Sequence, residues 1–135
     1  MPPNFEFEFF YPRRPTLSVG VRNKSGPSGV TTALMDTGAD ITLIDLTVAE
    51  QLGLSLLDLP PIRISGVGGS ITEARRAEVE LRLLNEPDLA LTIPVAFAPI
   101  RGLGIGNLIG LDVLSHFDFG ISHSTLTAYL GRTAT

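Results

Sequence analysis

One octapeptide carries most of the chemistry that this chain can offer: Ala33-Leu34-Met35-Asp36-Thr37-Gly38-Ala39-Asp40. It sets Asp36 directly after an apolar run, Val30–Met35, and ahead of a second, Ile41-Thr42-Leu43-Ile44. Both runs are β-branched or aliphatic and read as strands. Thr37-Gly38 supplies a tight turn between them, with Gly38 free to take backbone angles closed to other residues. The Asp36 carboxylate is thereby expected at the rim of a hydrophobic core. A charge there is costly unless it is hydrogen-bonded or shares a proton. Such groups mark functional sites, and a carboxylate is suited to general acid–base work.

The elements that must position this turn follow from the pattern on either side. Phe5-Glu6-Phe7-Glu8-Phe9 alternates strictly, as a strand with one apolar face does, and Thr16–Val21 reads as a second strand. The polar, Gly/Pro-containing stretch Asn23–Gly29 reads as a hairpin loop. A short helix is expected over Thr47–Leu52, capped by Thr47 with Glu50 three residues on and stopped by Gly53. Ile62-Arg63-Ile64 and Ile71–Leu84 flank the glycine-rich tip Gly66-Val67-Gly68-Gly69 as two strands. After a turn at Asn85–Asp88 come the strand Leu89–Phe97, a loop over Arg101–Asn107, a helix over Leu111–Phe117, and closing strands at Ile121 and Thr125–Leu130. Many short strands with only two short helices predict an all-β closed barrel or sandwich. An apolar strand, a turn and a helix also recur, at Met35–Gly53 and Ile109–Phe117, but the second copy lacks an Asp-Thr-Gly triplet.

Composition bounds the rest. At 135 residues, 44% of them hydrophobic, the chain makes one domain over 1–135, with a core of about 16–130 and an N-terminal strand or arm over 1–15. It has no cysteine, so disulfides and thiolate metal sites are excluded. The two histidines, His116 and His123, fall in no metal-ligand spacing, and neither a metal nor a cofactor is expected. A net charge of −4 argues against nucleic acid or an anionic membrane as partner. Leu89–Ile100 is broken by Thr92, Pro94 and Pro99 and is too short for a bilayer, which needs about 20 residues. Met1-Pro2-Pro3-Asn4 lacks the pattern of a secretory signal, so the chain reads as soluble and cytoplasmic.

Three landmarks, in order, resemble the retropepsin-like aspartic proteases, the single-domain relatives of retroviral proteases. They are the turn Leu34–Asp40, the glycine-rich segment Ile64-Ser65-Gly66-Val67-Gly68-Gly69-Ser70, and Asn107-Leu108-Ile109-Gly110-Leu111-Asp112-Val113-Leu114. The resemblance runs from about Thr16 to Tyr129. Where viral members carry an arginine after the last glycine, this chain has Leu111 and then Asp112, which is more similar to the cellular and bacterial branch. The resemblance implies an aspartic endopeptidase with Asp36 catalytic, and Thr37 and Gly38 supporting the turn. Ala39, Asp40, Gly66, Val67, Gly68, Gly69, Leu108 and Ile109 would contact substrate, residues 66–69 as a flap. Asp40 lacks its usual arginine partner; Arg13, Arg14 and Arg63 are the candidates. Because the chain holds a single Asp-Thr-Gly, the second aspartate of the dyad must come from a second copy, giving a C2 homodimer acting on peptide or protein substrates. The alternative is the same dimer, idle or latent, serving as a peptide-binding or dimerisation module.

Several tempting signals have plainer readings. Gly102-Leu103-Gly104-Ile105-Gly106 lacks dinucleotide-loop spacing and reads as a loop. Phe9-Phe10-Tyr11-Pro12 is similar to the aromatic–proline bonds that retroviral proteases cut, which would suit trimming of its own N-terminus, but an edge strand with a proline turn is the plainer reading.

Overall fold

Alternating apolar and polar residues give the long strand at the centre of the chain two different faces. Val79, Leu81 and Leu83 bury one side, while Glu78, Glu80 and Arg82 stand on the other. The structure, a computed structural model, describes residues 6–65 and 71–132, with side chains at all of these but 71 and 72. Its strands are β1 (Phe7–Phe10), β2 (Thr16–Arg22), β3 (Ser28–Met35), β4 (Leu43–Asp45), β5 (Pro61–Ser65) and β6 (Ile71–Leu83). They continue as β7 (Ala90–Ala98), β8 (Asn107–Ile109), β9 (Phe117–Ser122) and β10 (Thr127–Arg132). The helices are α1 (Leu46–Gln51) and α2 (Leu111–Leu114), and short 3-10 turns cover Pro87–Leu89 and Arg101–Leu103. No helix among the described residues is long and apolar enough to cross a membrane.

Seven strands form one sheet in the order β2-β3-β8-β4-β7-β6-β5, and β2 also pairs with β6, so the sheet closes on itself with β5 outside the closure. The fold is therefore all-β, a closed barrel with two short helices. A second sheet, β1-β10-β9, lies on the same core through Phe7, Phe9, Ala128, Leu130 and Phe119. The main core includes Val19, Ile44, Leu81, Phe97, Ile109 and Leu114, all essentially without solvent contact. A smaller cluster of Leu43, Ala74, Ala96, Ala98 and Ile100 sits under Ile62 and Ile64 of β5.

The element boundaries depart from the sequence expectation where polar groups intervene. Strand β4 starts at Leu43, not Ile41, because the Thr42 amide is bonded to the Asp112 carboxylate. Asp45, not Thr47, caps α1: its carboxylate accepts the Thr47 amide and hydroxyl hydrogens. Gly53, at φ 67°, ends that helical segment in the left-handed region. Helix α2 stops at Leu114, since Phe117 is already paired with Arg132 in the second sheet. Tyr11 is buried, its amide bonded to the Leu126 carbonyl and its hydroxyl donating to the Ser122 carbonyl. The Tyr11–Pro12 segment is thus built into the fold after the edge strand β1.

The two strand-and-turn copies noticed in the sequence lie side by side. Strands β3 and β8 run parallel, with Met35 opposite Ile109. Beyond them the loop 36–42 and the segment 109–112 cross in close contact. The Asp36 amide donates to the Ile109 carbonyl (2.9 Å), Leu111 to Ala39 (2.8 Å) and Asp112 to Asp40 (3.2 Å). A Cβ on Gly110 would stand 2.6 Å from the Ile41 carbonyl oxygen and 2.8 Å from that of Ala39. Both are backbone atoms held by the crossing, so neither can step aside cheaply. Gly110→Ala is therefore expected to cost about 1–3 kcal/mol, the range for overpacking. Gly29→Ala, where a Cβ meets open space, should stay within about 0.5 kcal/mol. Urea denaturation midpoints of the two variants test the difference, and equal midpoints would contradict it.

Candidate active site

Asp36 is held by bonds on both sides of its Cα. Its amide is tied to β8, and its carbonyl accepts the Ala39 amide (3.2 Å) to close the turn. Its Oδ1 accepts the Gly38 amide at 2.9 Å. Asp36 as a residue is half-buried, following the buried Met35, which lies opposite the buried Ile109. Gly38 is not in the left-handed region, which corrects the reason given for it from sequence. Its service is room: a Cβ there would lie 3.2 Å from Asp36 Oδ1, crowding the oxygen that its own amide binds.

Asp36 opens onto a cleft of about 1050 Å³. Gly38, Ala39 and Asp40 of the turn line it, as do Leu108 of β8 and the loop Leu103–Gly106. Arg14, ahead of β2, and Arg63, Ile64 and Ser65 of β5 complete the wall that concerns us. Thr37 is exposed and does not line the cleft. Ile109 does not either: its side chain is wholly buried in the main core, because period-two alternation sends Leu108 outward and Ile109 inward. Its place as a cleft residue is thus withdrawn, and its carbonyl instead anchors Asp36. Gly66, Val67, Gly68 and Gly69 lie outside the described residues. Asp40 is exposed and has no ion-pair partner among the described residues; Arg13, Arg14 and Arg63 do not reach it within the protomer. No group of His, Cys, Asp and Glu among the described residues could hold a metal ion.

Three polar side chains that sequence reasoning passed over hold this arrangement together. Thr42, fully buried, donates its hydroxyl to Asp112 Oδ1 (2.8 Å) and accepts the Gly110 amide (3.1 Å), while its amide reaches Asp112 Oδ2 (3.0 Å). Asn107 donates to the Thr31 hydroxyl and the Thr32 carbonyl, and its oxygen accepts the Asp45 amide (2.8 Å), so one side chain joins β3, β8 and β4. Asp45 is buried and accepts the Arg101 amide (2.8 Å), which anchors the start of the cleft loop. A polar residue within an apolar run was the available signal, since buried polar groups need partners.

A family model described as "Aspartyl protease" matches residues 24–113. DNA damage-inducible protein 1 from two strains of Cryptococcus neoformans var. neoformans serotype D is 32% identical over 108 residues, covering 75% of this chain and 23% of each relative. The chain thus corresponds to less than a quarter of the length of these curated relatives. Among solved structures it is similar to an EIAV protease in an inhibitor complex, with TM-score 0.56 and 22% identity over 76% of this chain and 86% of that one. It is also similar to a retropepsin-like aspartic protease from Rickettsia conorii, with TM-score 0.55 and 18% identity over 85% and 92% of the two chains. At such identities these two likenesses are of fold.

The site also sets an acid limit on stability. Burial opposes the charge of Asp45, but the Thr47 hydroxyl, the Arg101 and Thr47 amides and the Arg101 charge outweigh it. Together they hold its carboxyl below the ordinary carboxylate value of 3.8. A depressed carboxyl contributes stability that is present above the unfolded value and lost as pH falls through the folded one. Asp45→Asn is expected to be less stable than wild type at neutral pH, with the gap closing below pH 3.8. Urea unfolding of both proteins across that range checks it, and a gap independent of pH would contradict it.

Proposed function

The chain belongs to the aspartyl protease family, in its retropepsin-like form, and from that premise we propose that it is an aspartic endopeptidase working as a C2 homodimer. The observation that carries the reading is Asp36 itself, a half-buried residue in the lining of a large cleft, fixed by main-chain bonds to its backbone and to its Oδ1. The chain holds one Asp-Thr-Gly, so two copies are required to bring two carboxylates around one water. Carboxylates that close share a proton and titrate as a unit. The ionised one takes a proton from the water as it attacks the scissile carbonyl carbon. The protonated one hydrogen-bonds the carbonyl oxygen, and proton return to the nitrogen releases the amine. No metal or cofactor enters this scheme.

Exposed Thr37 is free to meet the second copy's turn. Ala39, Asp40 and Leu108 line the half of the cleft that each protomer supplies. Substrate would bind extended, its main chain paired as an added strand, beneath the glycine-rich tip 66–69 acting as a flap. Asp40 and Arg14 both line the cleft without an ionic partner among the described residues, so Arg14 of one copy is our candidate for Asp40 of the other.

Incubating wild type and Asp36→Asn with a diverse peptide mixture, read by mass spectrometry, tests the proposal. Wild type should cut with a bell-shaped, acid-centred pH profile, and the variant should lose at least about a hundredfold in rate. Equal cutting by both proteins, or a rate that climbs steadily above neutrality, would overturn the mechanism. No cutting from confirmed dimer would favour a peptide-binding module.

A further inference from the structure

Two cations on the cleft wall, Arg14 and Arg63, make no ion pair among the described residues. Period-two alternation in β5 presses Ile62 and Ile64 onto the small apolar cluster beneath and leaves Arg63 exposed, with its residue on the cleft wall. Across the β5–β6 ladder Arg63 stands directly opposite Glu73. That pairing would normally supply a partner. Glu73 is engaged elsewhere: it accepts from Arg75 at 3.1 Å, and Arg75 also donates to the carbonyls of Leu57 and Leu59. Away from the cleft, Arg22 and Arg82 are committed to Glu80 and Lys24 to Glu78. Arg63 makes no ion pair among the described residues. The remaining wall on that side is aliphatic or small: Ile64, Ser65, Leu103 and Ile105.

Resting on the endopeptidase reading above, we infer that Arg63 is a specificity residue that selects substrates carrying an acidic side chain on a flank of the scissile bond. An extended peptide sends alternate side chains to the same wall, so a carboxylate at one such position meets the guanidinium, which binds it with two parallel N–H donors. The contact lies away from the dyad, so it tunes which peptides are taken and leaves the chemistry to Asp36. Exposure to solvent screens the pair, which sets a modest magnitude of roughly threefold to fivefold at low salt and less at high salt.

The experiment pairs two readouts on the full chain. Cleavage of a peptide library by wild type, Arg63→Gln and Arg63→Glu gives flanking preferences. Fluorescence anisotropy with matched Glu-containing and Gln-containing peptides on Asp36→Asn, with and without Arg63→Glu, gives binding selectivity without turnover. We expect wild type to enrich Asp and Glu at a fixed flanking position, Arg63→Gln to lose the enrichment, and Arg63→Glu to favour Lys and Arg there. Identical flanking profiles, or equal binding of the matched peptides, would overturn the inference, as would no binding of either peptide. Charge-selective binding with no cutting would instead overturn the endopeptidase reading and leave the role of Arg63 standing. Thermal melts of the Arg63 variants separate lost selectivity from lost fold.

Discussion

The crossing of loop 36–42 with segment 109–112 is the constraint on which the rest of the structure depends. Two stretches of main chain approach until there is no room for a Cβ at residue 110. They are then stitched by three backbone hydrogen bonds and by the buried Thr42 hydroxyl, which donates to Asp112 and accepts from Gly110. Fixing a carboxylate through its own backbone is stiffer than fixing it through a rotatable neighbour. Asp36 inherits its position from the barrel, through the Ile109 carbonyl, and its orientation from the Gly38 amide. A reacting group needs that placement to within about 0.5 Å, which is more readily met from sheet backbone than from an unsupported loop.

The crossing in turn requires an interior of mixed character. Apolar residues from both sheets fill the main core, and Ile109 belongs to it. Yet Thr42, Asp45 and Asn107 put polar groups at the junctions of β3, β4 and β8, where each would be costly without partners. Among the described residues no buried side-chain nitrogen or oxygen lacks a hydrogen bond. A fully satisfied network specifies one arrangement of these strands, whereas an aliphatic replacement would let neighbouring loops slide. Asp45 joins two tasks, capping α1 and holding the Arg101 amide, and so links the helix to the cleft loop.

Much of this was legible in the sequence, for reasons that also explain the failures. The turn at Asp36, the strands flanking residues 66–69 and the return of an apolar strand at Leu108 carry local signals of period, turn chemistry and charge. Those signals located β3 and most of β6. What was missed depends on contacts between distant positions. The bond from Thr42 to Asp112 spans 70 residues, and that from Asn107 to Thr31 spans 76. No local pattern declares them. The role of Gly38 was misassigned because a glycine in a turn suggests its backbone angle first, whereas here the limit is space beside a carboxylate. Phe117 continues an apolar helical pattern, but a cross-strand pair with Arg132 captures it for β9.

On the dimeric reading, symmetry adds a constraint that a single protomer hides. A polypeptide has direction and a C2 axis does not, so every cleft residue must serve two chemically different halves of the substrate. Ala39 suits that demand: it is small and, in contrast to Arg63, brings no charge. Leu108 and Ile105 likewise offer apolar surface that is indifferent to chain direction. A cation is different, because its partner must be an acid on whichever half it meets. Two copies of Arg63 would face opposite flanks of the same peptide, so either flank could satisfy one of them and a doubly acidic peptide could satisfy both. Selectivity in such an enzyme would then reside in the outer walls, while the turn that two copies must share stays chemically plain apart from its aspartates.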